Sequence, residues 1–185
     1  MYRTLSLPIH TGRLTLRDFR ASDFDRVFAY ASDSEVTRFM FYGPRDQAET
    51  HDYLQGMLQS QTEVPRLTWE VAVIRRADGR LIGACDLTLE DVLAADLGYI
   101  LAREAWGQGY ATEIACTLLR AGFAQLGLQR IFAICDVHHL ASARVLEKAG
   151  LQRETTLYGY KEAKGRSWDM YRYALTYHEW RRSQG

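Results

Sequence analysis

Asp96-Leu97-Gly98-Tyr99-Ile100-Leu101 alternates like a strand, and Gly109-Tyr110-Ala111-Thr112-Glu113-Ile114-Ala115 opens a run of helical period. Between them lies Arg103-Glu104-Ala105-Trp106-Gly107-Gln108. Apolar residues recur every second position on a strand and at i, i+3, i+4, i+7 on a helix, so this change of period marks a strand, a loop and a helix in succession. Ile114, Ala115, Leu118, Leu119, Gly122 and Phe123 carry the helical pattern onward, and Gly127 ends it in the left-handed region. Gly107 and Gly109 let the loop turn sharply and present successive N–H groups. The helix start adds unpaired donors and the positive end of its dipole, which together make an anion site.

Two ligands and a purely structural role compete for that loop. A nucleoside-triphosphate loop needs GxxxxGK[ST], and no lysine follows either glycine. Gly107-Gln108-Gly109 followed by Thr112 fits a dinucleotide fingerprint in part, with Asp136 after the next strand as a ribose-binding acid. Against it stand the threonine at the third small position, the gap between strand and first glycine, and the short remaining chain. The plainer alternative is a turn that only caps a helix.

Outward from the loop, Arg13 to Arg17 reads as a strand, and Ser22 as the N-cap of a helix burying Phe24, Val27, Phe28 and Ala31. A short helix is expected over Glu35 to Met40 and a longer one over Gln47 to Gln59. Trp69 to Ile74 and Leu81 to Leu87 are β-rich runs joined through Asp78-Gly79, a hairpin signal. Arg130 to Cys135 reads as a buried strand, Ser142 to Ala149 as a helix closed by Gly150, and Trp168 to Thr176 as a final strand. This order predicts an α+β fold, with helices on both faces of a mixed, mostly antiparallel sheet of about six to seven strands.

The chain of 185 residues shows no repeat or linker, which predicts a single domain over 1–185. Lys plus Arg and Asp plus Glu balance at 23 each, so no overall field draws it to nucleic acid or an anionic membrane. Cys85, Cys116 and Cys135 lack paired spacing and sit among apolar neighbours, so reduced thiols are expected. Neither a secretory leader nor a membrane-length apolar run is present, and a cytoplasmic location follows by default. Cys135, Asp136, His138 and His139 invite a metal reading, but adjacent histidines point apart and lack zinc spacing, so no metal is expected.

Taken in order, several segments resemble the GCN5-related N-acetyltransferase (GNAT) superfamily, and within it the RimJ/RimL-type branch of ribosomal-protein alanine acetyltransferases. Thr11 to Arg17 is similar to the first strand, Leu81-Ile82-Gly83 to the third and Asp96 to Leu101 to the fourth. Trp106-Gly107-Gln108-Gly109-Tyr110-Ala111-Thr112-Glu113 resembles the pyrophosphate loop, Ala141 to Leu151 the second cofactor motif, and Trp168 to Tyr171 the closing strand. Two departures stand out. His139 occupies the position where the branch usually has asparagine, and Asp96 one where the family more often has glutamate.

The resemblance implies an enzyme whose fourth and fifth strands splay around the pantetheine arm of acetyl-CoA, with direct attack by a primary amine and no covalent intermediate. It implies cofactor contacts from Tyr99, Ile100, Leu101, Trp106, Gly107, Gln108, Gly109, Tyr110, Ala111, Thr112, His139 and Ser142. Ser142 would protonate the leaving thiolate, or alternatively act only as a helix N-cap. Asp96 would accept the amine's proton, with Glu70 a second candidate or merely a paired strand carboxylate. An α-amino group, with a pKa near 7.7–8.0, is far more often neutral at pH 7 than a lysine. A protein N-terminus is therefore the expected acceptor, with a small amine (antibiotic, polyamine or amino acid) as the alternative and a non-catalytic acyl-CoA binder as a further one. Phe41 to Asp46 and Tyr158 to Arg166, including Tyr158 and Tyr160, are the expected acceptor loops. The protein is expected to be a monomer or homodimer.

Overall fold

The computed structural model describes residues 3–184. Its strands are β1 (Ile9–His10), β2 (Leu14–Arg17), β3 (Thr68–Arg75), β4 (Arg80–Leu89), β5 (Ala94–Leu101), β6 (Arg130–Asp136), β7 (Gln152–Ala163) and β8 (Arg166–Thr176). The helices are α1 (Phe24–Ala31), α2 (Gln47–Ser60), α3 (Tyr110–Ala121), α4 (Leu140–Lys148) and α5 (Tyr177–Ser183). All eight strands form one sheet in the order β1-β2-β3-β4-β5-β6-β8-β7. Every neighbouring pair is antiparallel except β5 and β6, which run parallel.

Side chains alternate across this sheet, so each strand feeds two cores. Val71 and Val73 of β3 pack with Ile114 and Leu118 of α3 and Leu146 of α4. Ala72 between them packs on the other face with Val27 and Tyr30 of α1 and Leu54 and Met57 of α2. On β5 the odd positions, Ala95, Leu97 and Leu101, join the α3/α4 core, and Ile100 joins the α1/α2 core. The expected α+β architecture is therefore present.

The element reading differs from the structure in four places. The sheet has eight strands rather than six or seven. The unforeseen β1 is two residues long, and β7 is an edge strand with mostly exposed side chains, so neither carries an apolar alternation. The helix expected over Glu35 to Met40 is a chain of turns, held by bonds such as Thr37 N–H to the Asp33 carbonyl and Met40 N–H to the Thr37 carbonyl. Ser22 is no cap: it lies inside a 3₁₀ turn, Ala21–Asp23, whose Asp23 carboxylate instead accepts from Arg20 N–H and pairs with Arg17. α5 was also unforeseen. It opens with a capping box in which Thr176 and Glu179 satisfy each other's N–H groups.

β5 and β6 share three register pairs, Ala94–Arg130, Ala95–Ile131 and Asp96–Phe132, and then part. Counted from Leu14, these are the fourth and fifth strands, so the expected splay is present. It puts Gly98 to Leu101 on one wall of a V and Ala133 to Asp136 on the other, with Asp96 at the vertex.

Candidate active site

The glycine loop closes the open end of the V. Gly107 and Gly109 hold φ of 72° and 79°, values that a residue with a Cβ adopts only under strain. Beside Gly107 a Cβ would meet nothing within 4 Å, so this side of the loop is open. The first bond of α3 runs from Glu113 N–H to the Gly109 carbonyl, which leaves the N–H groups of Tyr110, Ala111 and Thr112 without a helical acceptor. Such a row of donors at a helix start suits a pyrophosphate.

Trp106 braces the loop from behind: its indole N–H donates to the Leu101 carbonyl at 2.8 Å. That bond shows the main-chain groups of Leu101 facing the gap. Ile100 points the other way, because its carbonyl lies 2.1 Å from where a Cβ on Gly83 of β4 would sit. Main-chain polarity alternates along a strand, so Tyr99 and Leu101 present their groups to the V, whereas Ile100, expected among the cofactor contacts, turns its main chain to β4 and buries its side chain in the α1/α2 core.

On the α3/α4 side of the V, the Tyr99 and Ser142 hydroxyls lie 2.9 Å apart. Burial is the main cause that raises the Tyr99 phenol above its ordinary range, so it stays protonated. Ser142 is the third residue of α4, whose N-cap position is His139, so the capping alternative is excluded by geometry. Nearby, burial and the Asp136 charge push the Cys135 thiol up to about 11, with Ser142 opposing them. His139 lays its ring on Phe39 at a centroid distance of 4.2 Å and an interplanar angle of 16°. Burial lowers its pKa, which keeps the imidazole neutral near pH 7. Asp136, for its part, accepts from His138 N–H at 2.7 Å and from Arg166 at 2.9 Å.

The α1/α2 side carries carboxylates from three neighbouring strands. The register aligns Glu70 with Asp86 and Asp86 with Gly98, and places Asp96 opposite Thr88 one step along. A Cβ on Gly98 would stand 2.3 Å from Asp86 Oδ1, so the Asp86 carboxyl lies directly over Gly98, at the start of the V. Burial raises all three acids. Asp86 reaches about 7, with Glu70 and Asp96 adding repulsion. Asp96 reaches about 6, and its Oδ1 has no hydrogen-bond partner. Glu70 is raised less because the Tyr53 hydroxyl and Arg45 support its charge. It is thus both a paired carboxylate and a member of this face.

Asp86 was missed from sequence because it reads as one polar residue in an apolar strand. Only the strand register shows that it leans on a glycine. The expected acceptor loops do meet here: Phe41 packs edge-on against Trp168 at 5.4 Å and near Tyr160 at 6.1 Å. Lys164, at the tip of the β7–β8 hairpin, donates to the carbonyls of Thr37, Arg38 and Met40. Tyr158 is 80% exposed and contributes no wall.

Comparison with known proteins agrees with this geometry. The family model described as acetyltransferase (GNAT) domain matches residues 13–152. The uncharacterized N-acetyltransferase p20 of Bacillus licheniformis is 33% identical over 93% of this chain and 97% of its own. Among solved structures, RimJ of Mycobacterium smegmatis in complex with CoA-disulfide superposes with a TM-score of 0.80 at 22% identity, covering 94% of this chain and 90% of that one. Spermidine N-acetyltransferase of Vibrio cholerae, in complex with CoA and spermine, gives 0.78 at 20%, covering 92% and 99%. The chain belongs to the GNAT acetyltransferase family, and is an N-acetyltransferase that uses acetyl-CoA as co-substrate. Among the described residues no helix is long and apolar enough to cross a membrane.

Proposed function

We propose that this enzyme acetylates an α-amino group, as at a peptide or protein N-terminus, by direct attack on acetyl-CoA within the V. The observation that carries this reading is the pair Asp96 and Asp86, at about 6 and about 7 on the acceptor face. A carboxylate of that strength is closely matched to an α-ammonium near 7.7–8.0, whereas a lysine near 10.4 would hold its proton against it.

The N–H groups from Gly107 to Thr112 hold the pyrophosphate, and the main chain of Tyr99 and Leu101 aligns the pantetheine arm. Asp96 and Asp86 take the proton as the amine nitrogen bonds to the thioester carbon. As the carbon–sulfur bond breaks, the departing thiolate accepts a hydrogen bond from the Ser142 hydroxyl, whose Oγ in turn accepts one from Tyr99. His139 and Phe39 form one stacked wall beside the arm.

A small polyvalent amine is the second reading. It is favoured by the three carboxylates on one face, which could hold ammonium groups that do not react. Thiol release from acetyl-CoA separates the two when measured with a peptide bearing a free N-terminal alanine, the same peptide N-acetylated but retaining a lysine, and spermine. Turnover confined to the free N-terminus supports the proposal, and turnover confined to spermine replaces it with the second reading.

A further inference from the structure

The helix that meets the pyrophosphate carries a conflict within its own first turn. Glu113 lies there, a carboxylate close to where two phosphate charges bind. Acidic residues are ordinarily welcome at a helix start, but not where the dipole is to serve another anion. Burial pulls the Glu113 carboxyl upward, yet hydrogen bonds from Thr11 and Arg13 outweigh it and hold the group below the usual glutamate range. It is charged at neutral pH.

Arg13, just before β2, meets this charge at every point. Its Nε donates to Glu113 Oε2 at 2.7 Å, and its main-chain N–H to Oε1 at 3.0 Å. Thr11 gives Oε1 a further bond at 2.5 Å. The same guanidinium reaches into the glycine loop, where Nη1 donates to the Gln108 carbonyl at 2.8 Å. Its Nη2 lies 3.5 Å from where a Cβ on Gly109 would be, and its carbon stands 4.6 Å from the centre of the Tyr110 ring. Arg76 secures the other end by donating to the Thr11 carbonyl at 2.7 Å.

We propose that Arg13 is a positioning residue for the donor site: it neutralises Glu113 and turns the Gln108 carbonyl away, so that the loop shows coenzyme A only N–H donors. A carbonyl or a bare carboxylate aimed at the pyrophosphate would oppose binding, and one guanidinium disposes of both. Arg13 is 49% exposed at its side chain, so replacing it leaves the core intact. The charges act on the donor's phosphates and not on the acetyl group.

Calorimetric titration of the purified protein with coenzyme A tests this. Arg13→Met weakens binding about tenfold, the size expected from exposing one like charge near the ligand. Arg13→Met combined with Glu113→Gln recovers to within about threefold of the parent, because the conflict is gone. Glu113→Gln alone binds at least as tightly as the parent. A merely structural tether predicts the reverse, with each lost partner adding damage. Unchanged affinity in Arg13→Met, a double variant no better than that single one, or weaker binding in Glu113→Gln would each overturn the proposal. Melting curves without ligand confirm that each variant is folded.

Discussion

The loop side and the acceptor side of the V are finished to different degrees. Around the glycine loop, Glu113 is saturated by Thr11 and Arg13, Trp106 is spent on Leu101, and Gln108 is tied at both its carbonyl and its side chain. Among the described residues, five buried side-chain nitrogen or oxygen atoms find no partner. Four of these, on Tyr30, Arg45, Asp96 and Arg172, belong to the α1/α2 face, and the fifth, Trp69 Nε1, lies in the opposite core. A buried polar atom without a partner costs about 1–3 kcal/mol, so an acceptor that reached Asp96 Oδ1 would recover that cost on binding. One side is complete because its ligand is the same throughout the family. The other holds its polar capacity in reserve, and under the proposed function selectivity is expected there.

The largest effect expected from breaking this contrast is on the loop. Gly109→Asp should weaken coenzyme A about a hundredfold in calorimetry, since it forces a side chain into φ of 79° and adds a negative charge beside the phosphates. Unchanged affinity would reduce the loop to a turn. Ser142→Ala should lower kcat about a hundredfold, the low end for a lost donor to the leaving group, with coenzyme A affinity intact. An unaltered kcat would remove Ser142 from the chemistry.

On the acceptor side the test is pH. The deprotonated carboxyl is the active form, so the rate should rise as pH passes through about 6 to 7. Asp86→Asn should flatten the upper part of that rise, and Asp96→Asn the lower part. Stability moves oppositely: Asp86 holds its proton up to about 7 in the folded chain against 3.8 as its ordinary value. The folded state therefore binds the extra proton between those values, and the parent loses stability as pH rises through that window. The melting temperature of Asp86→Asn should gain on the parent from pH 5 to pH 8; parallel curves would mean the carboxyl is not held in this way. The smallest effect is expected from Gly98→Ala. It must swing the Asp86 carboxyl aside at about 1–3 kcal/mol, read by denaturant unfolding, and shift the pH midpoint without touching coenzyme A affinity.

The sequence was most legible where one ligand demands one backbone. Two glycines, a strand before them and an amphipathic helix after them sufficed to locate the loop, and the splay of β5 from β6 followed from the resemblance. It was least legible where register matters. Asp86 and Gly98 are twelve positions apart in the chain and touch only because β4 and β5 pair as they do. Arg13 and Glu113 are a hundred apart and lie in separate motifs, with no pattern linking them. Lys164 reaches across 127 positions to the Thr37 carbonyl, so the turns at 35–40 are set by a distant hairpin rather than by their own propensity.

Trp106 gives the molecule a reporter of its own state. Trp69 and Trp168 are buried, at 1% and 0% exposure, and the partly buried Trp180 packs on Phe123, while Trp106 stands 46% exposed with its indole fastened to the strand that lines the V. Emission from a half-hydrated indole responds to polarity and to quenching by a neighbouring ring, and coenzyme A held on the loop as proposed would bring both changes to this spot. The intrinsic fluorescence of the unlabelled protein therefore follows occupancy of the loop, and in Trp106→Phe that response is silent.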